Sequence, residues 1–139
     1  MTEERTTPHR AVLMRRVLEA ANRGDNNAFL SVCAADAVYE SENLGIRLEG
    51  VAAIRGFFED WIGSYEELET VNEEYLDLGN GVTFSVSLSK GRPLGSTGYV
   101  PFRYAVVSVW ADAKIKRFTT YTDIDTARAA AERLAQERG

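Results

Sequence analysis

The chain has 139 residues, 45% of them hydrophobic, and a formal net charge of −5 at pH 7. A chain of that size buries roughly two-thirds of its unfolded surface as one domain, so a single domain over 1–139 is expected, with its core over about 8–136. The acidic balance argues against the concentrated basic face that nucleic acid requires, and no apolar run approaches the ~20 residues of a membrane span.

Thr7-Pro8 is the expected start of a first helix, with threonine as cap and proline in the first turn. Val12, Leu13, Val17, Leu18 and Ala21 then recur at helical spacing up to Gly24, a C-terminal stop. Asp25 caps a short second helix carrying Ala28, Phe29, Val32 and Cys33. Asp36–Ser41 reads as a short strand. Gly50 opens a third helix, in which Ile54, Phe57, Phe58, Trp61 and Ile62 form the most apolar face of the chain.

After Ser64 the period becomes two. Strands are predicted over Glu66–Leu78, Val82–Ser89, Tyr99–Ala111 and Lys114–Thr122, with reversals at Gly79-Asn80-Gly81 and Asp112-Ala113. A flexible loop is predicted from Lys90 to Gly98. The last strand places Lys116, Phe118, Thr120 and Thr122 on one face, and Ile115, Arg117, Thr119 and Tyr121 on the other. Asp123 or Asp125 caps a final helix with Ala127, Ala130, Ala131 and Leu134 along its inner stripe. This order predicts an α+β fold: a cone-shaped barrel of a curved antiparallel sheet wrapped around N-terminal helices, plus a C-terminal helix.

Cys33 is the single cysteine, which removes an internal disulfide and a cysteine-based zinc site. With a polar start over Met1–Arg10, it fits the reducing cytoplasm. His9, the sole histidine, falls in the first turn of helix one, where solvent exposure is expected. No metal-ligand spacing is present, and no cofactor is expected.

Several motifs occur in a recognisable order. They are Asn22-Arg23-Gly24-Asp25, Ala35-Asp36-Ala37-Val38-Tyr39, the run Gly50–Phe58 (GVAAIRGFF), Asp77-Leu78-Gly79-Asn80-Gly81, Val107-Ser108-Val109-Trp110 and the run Arg117–Asp123 (RFTTYTD). In this order the chain resembles the SnoaL-like branch of the nuclear transport factor 2-like superfamily, from about Arg10 to Leu134. That superfamily hosts isomerases, cyclases, dehydratases, epoxide hydrolases and non-catalytic modules, so the resemblance implies a fold more than an activity.

The family's sites can be compared position by position. A ketosteroid-isomerase-like site needs a tyrosine, an aspartate base and a protonated acid where this chain has Val17, Ser41 and Val106. A limonene-epoxide-hydrolase-like site would keep its tyrosine at Tyr39, with Ser41 in place of asparagine. Its Arg-x-Asp pair falls among Phe84, Val86 and Leu88, and its final aspartate on Thr120. Neither chemistry is expected without those groups. SnoaL-type cyclases employ an aspartate near the end of the sheet, where Asp123 stands, although its spacing suits a helix cap.

Tyr39, Ser41, Glu40 and Asp123 are therefore the weak catalytic candidates. Alternation turns Tyr39 and Ser41 inward and Glu40 and Glu42 outward. Arg103 could stand at a pocket mouth, and Glu73 or Glu74 is an outside candidate for a pocket acid. The expected pocket is lined by Val17, Tyr39, Ser41, Phe57, Trp61, Phe84, Val86, Tyr104, Val106, Trp110, Phe118 and Thr120.

The expected function is binding of a small apolar or cyclic, polyketide-like ligand in that pocket. It could extend to cofactor-independent isomerase, cyclase or hydrolase chemistry. The alternative is a non-catalytic dimerisation or ligand-sequestering module. A homodimer is expected through the outer sheet face, where Val107, Val109, Ile115 and Tyr121 would leave an apolar patch.

Overall fold

The computed structural model describes residues 10–22 and 27–139. Helix α1 (Arg10–Asn22) and a short α2 (Asn27–Ser31) lead into strands β1 (Cys33–Ser41) and β2 (Ile46–Glu49). Helix α3 (Val51–Gly63) follows, then strands β3 (Tyr65–Gly79), β4 (Val82–Pro93), β5 (Val100–Ala111) and β6 (Lys114–Tyr121), and helix α4 (Ile124–Glu137). The expected helix start at Thr7-Pro8, the stop at Gly24, the cap at Asp25 and the position of His9 lie outside the described residues. No described helix is long and apolar enough to cross a membrane.

The strands form one sheet in the order β2-β1-β6-β5-β4-β3. The fold is α+β as expected, but the sheet is mixed rather than antiparallel throughout. β1 and β6 run parallel, with Tyr39 beside Phe118 and Ser41 beside Thr120. The other neighbours are antiparallel. β2 is absent from the sequence reading, because four residues are too few to display a period. It forms because the turn ending at Gly45 (φ 67°) folds the chain back onto β1. Cys33 begins β1 instead of sitting in a helix, and burial pushes its thiol pKa up to about 12, which leaves it unreactive.

Apolar residues pack on both faces of the sheet. On the inner face Met14, Val17, Leu30, Ile54, Trp110, Ile115 and Phe118 form one cluster beneath α1 and α3. On the outer face Val82, Phe84, Val86, Ala105 and Val107 pack against Ala127, Ala131 and Ala135 of α4. Asp123 starts α4, accepting a hydrogen bond from the Thr126 N–H at 3.0 Å. The alanine stripe lets the helix axis lie close to the strands.

That helix corrects two expectations. Phe84 and Val86 point into the α4 interface, not into a pocket. The expected apolar dimer patch is also not exposed. Val107 is buried, and Tyr121 packs against the same cluster. Ile115 turns to the inner cluster because a bulge resets the alternation: Trp110 pairs with Ile115 while Val109 pairs with Arg117, leaving Lys116 as the extra residue.

Candidate functional site

Helices α1 and α3 and the inner face of the sheet enclose a cavity of about 450 Å³. Its helical wall is Met14, Val17 and Leu18 from α1 and Phe57, Phe58, Trp61 and Ile62 from α3. The α3 members fall one helical turn apart and so face the sheet together. β1 contributes Tyr39 and Ser41, β6 contributes Phe118 and Thr120, and β5 contributes Phe102, Tyr104, Val106 and Ser108. Leu44 is 63% exposed and Trp61 37%, so the lining reaches solvent at both.

The Tyr39 ring lies 4.9 Å from Phe118, 5.8 Å from Phe57 and 5.6 Å from Phe58, measured between centroids. Its phenol shares a hydrogen bond of 2.9 Å with Thr120 Oγ1. An amphipathic side chain is thereby fixed with its polar tip on a strand of the cavity wall. Ser41 Oγ donates to Asn43 Oδ1 at 3.1 Å and accepts from the Leu44 N–H at 3.3 Å, which orders the β1–β2 turn at the rim.

The most regular feature of the wall is on β4. Thr83, Ser85 and Ser87 line the cavity in succession, and the next inward residue, Ser89, is fully buried. Across β5 the first three stand beside Ser108, Val106 and Tyr104. Ser89 Oγ shares a 2.9 Å hydrogen bond with Thr70 Oγ1 on β3. Burial holds the Tyr104 phenol above its ordinary pKa, while the hydroxyls of Ser89 and Ser87 act in the opposite direction. Tyr104 is therefore neutral and a hydrogen-bond donor at physiological pH.

Charged groups stand elsewhere. None of the described residues lining the cavity is Asp, Glu, His, Lys, Arg or Cys. Glu40 sits on the opposite face of β1, bonded to Arg117 at 2.7 Å and Arg47 at 3.3 Å. Hydrogen bonding from Arg117, with Arg47 assisting, holds its carboxyl below its ordinary value. These residues border a second hollow of about 410 Å³ with Glu42, Thr119 and Tyr121, which shares Ser41 and Tyr121 with the lining of the inner cavity. Arg117 is paired with Glu40 and Arg47 with both Glu40 and Glu49, so the inner cavity is the stronger candidate. Glu73 pairs with Arg103 at 2.6 Å, and Glu74 with Arg128 at 2.9 Å. Neither acid, nor Arg103, lines the cavity. Among the described residues no group of three His, Cys, Asp or Glu is placed to hold a metal ion.

Of the residues expected to form the pocket, Val17, Tyr39, Ser41, Phe57, Trp61, Tyr104, Val106, Phe118 and Thr120 line the cavity. Phe84 and Val86 do not, as described above. Trp110 faces inward but lies in the packed cluster, donating its indole N–H to Thr83 Oγ1. Asp123 is the α4 cap and also stands outside the lining. Among the lining residues that the sequence reading misses are Thr83, Ser85, Ser87, Ser108, Tyr65 and Phe102. The signal was present in the strict alternation Thr83-Phe84-Ser85-Val86-Ser87, whose polar face reads as solvent-facing until both faces are known to be covered.

The sequence matches the family model described as a SnoaL-like domain over residues 14–118. No curated protein matches it significantly. Three solved structures of similar fold are distant in sequence. A nuclear transport factor 2-like protein of unknown function from Burkholderia pseudomallei is 14% identical, with a TM-score of 0.71, over 88% of this chain and 96% of that one. A protein from Catenulispora acidiphila with a ketosteroid isomerase-like fold, solved with trimethylamine, is 16% identical, with a TM-score of 0.68, over 90% and 93%. TerC, crystallised with polyporic acid, is 14% identical, with a TM-score of 0.69, over 89% and 98%.

Proposed function

This chain belongs to the SnoaL-like domain family, and we propose that within it the chain is a binding protein for small, neutral, compact cyclic compounds. The observation that carries this reading is the make-up of the wall: aromatic and aliphatic side chains interleaved with hydroxyls, and no ionisable acid–base pair among the described lining residues. Abstracting a proton or activating water needs a positioned base within hydrogen-bond reach. The nearest such carboxylate on β1, Glu40, faces away and is engaged by Arg117.

Neutral ligands are favoured because a charged one would lose its hydration without gaining a counter-ion. The hydroxyls of Tyr39, Ser85, Ser87, Tyr104 and Thr120 can each donate and accept, which suits a ligand bearing carbonyl or hydroxyl groups. Two distant relatives were crystallised with small organic molecules, trimethylamine and polyporic acid, which supports small-molecule binding by this fold and leaves the neutrality of the ligand to rest on the wall itself.

Titration with 6-propionyl-2-dimethylaminonaphthalene, a neutral fluorescent bicyclic ketone, tests the reading. Saturable one-to-one binding with a blue-shifted emission is expected, and Ser85→Trp, which fills the cavity from β4, is expected to abolish it while circular dichroism stays unchanged. Absence of binding by the unsubstituted protein, or undiminished binding by a folded Ser85→Trp variant, would refute it.

A further inference from the structure

The inner face of β4 carries Thr83, Ser85, Ser87 and Ser89, and then loses its side chain altogether at Gly91. The missing side chain is filled from a neighbouring strand. A methyl group built on Gly91 would overlap Cδ1 and Cε1 of the Tyr65 ring and stand 3.2 Å from its Cζ. Gly91 does not need left-handed backbone, so its lack of a side chain matters here for space alone. Tyr65, the first residue of β3, sets its ring against that bare stretch of backbone.

Tyr65 in this seat helps to shape one end of the cavity. Its ring is within 24° of parallel to Phe102, at 6.4 Å between centroids. Phe102 is within 28° of parallel to Tyr104 at 6.1 Å. Trp61 stands edge-on to both Tyr65 and Phe102, at 5.5 and 5.8 Å. The three near-parallel rings follow one another at this end of the cavity, and Trp61, 37% exposed, stands edge-on beside them at the solvent side. The Tyr39–Thr120 pair belongs to other walls of the same cavity.

We infer that Gly91 sets the usable length of the cavity. By carrying no side chain it lets Tyr65 lie against β4, and this keeps open a place beside Trp61, Phe102 and Tyr104 for the second ring of a ligand. The ligand class is thereby narrowed from any compact ring to a neutral compound of two or more linked or fused rings. A β-carbon at position 91 lifts the Tyr65 ring off the sheet and into that place, leaving room for a single ring only. This rests on the binding reading above, and two probes separate the fates of the two.

Calorimetric titration compares the neutral naphthalene ketone with p-cresol, a neutral single ring. Gly91→Ala is expected to weaken the bicyclic probe at least tenfold and to change p-cresol less than threefold. Adding Tyr65→Ala to Gly91→Ala removes the displaced ring and is expected to bind the bicyclic probe at least threefold more tightly than Gly91→Ala alone. Equal loss of both probes, no loss of either, or failure of the second substitution to tighten bicyclic binding overturns the role of Gly91 and leaves the binding reading intact. If neither probe binds the unsubstituted protein, both fall. Should Gly91→Ala not fold, Tyr65→Trp, which enlarges the ring without a substitution on β4, is expected to give the same selective loss. Unchanged bicyclic binding in that variant overturns the inference.

Discussion

Trp110 donates its indole N–H to Thr83 Oγ1 at 3.0 Å, joining β5 to β4 between the packed cluster and the cavity. Trp110 is 2% exposed, so no water can replace that acceptor without rearrangement. Thr83→Val keeps the shape and removes the acceptor. It is expected to lower stability by about 1–3 kcal/mol, the cost of an orphaned buried donor. Urea denaturation followed by tryptophan fluorescence measures it; a change within experimental error would show that the bond contributes nothing.

Tyr39→Phe removes the partner of Thr120 Oγ1 while preserving the ring contacts. Because Thr120 can turn its hydroxyl elsewhere, the fold should lose little. Affinity for the neutral naphthalene ketone should fall by about 1 kcal/mol, roughly fivefold, as expected for one hydrogen bond. Unaltered affinity would remove Tyr39 from the recognition surface.

Glu40 makes a pH prediction. Arg117 and Arg47 hold its folded-state pKa below its unfolded value, so the stabilisation it gives is fully present above the unfolded pKa of about 4.3. It is lost as pH falls through the folded value. The gap in urea midpoint between the protein and its Glu40→Gln variant should be widest near neutrality and close on acidification below about pH 4. A gap that widens in acid would contradict the sign.

Ala131 is fully buried between α4 and the outer sheet face. Ala131→Leu has nowhere to place three further carbons, and overpacking of that kind costs about 1–3 kcal/mol. Thermal unfolding should therefore shift down. A neutral or stabilising result would mean that α4 can lift from β4 and β5 at little cost.

The sequence carried the fold through its periodicities. The i, i+3, i+4 pattern of Ile54, Phe57, Phe58 and Trp61 identifies α3 and its buried face, and the glycines around Asn80 mark the hairpin. It was less legible on β4, where Phe84 and Val86 hold the apolar places. Hydropathy assigns such residues to the interior, but this sheet has an interior on each side. The helix took the apolar face and the cavity took the hydroxyls. Lys116 similarly defeats strict alternation, because one bulged residue returns Ile115 and Phe118 to the same face.

The parallel pairing of β1 with β6 has a consequence for how the chain reaches this state. Tyr39 finds its neighbour Phe118 only after the whole β3–β4–β5 meander has been laid down between them. The hairpins are local in sequence and can close early, whereas joining β1 to the sheet closes a long loop and bears its entropic cost. Until β6 is in place, α1, α3 and β1 have no floor beneath their aromatic residues. During synthesis the part of the chain up to the end of α3 should therefore wait with Phe57, Phe58 and Tyr39 uncovered, and that interval is when the chain would be most prone to aggregation.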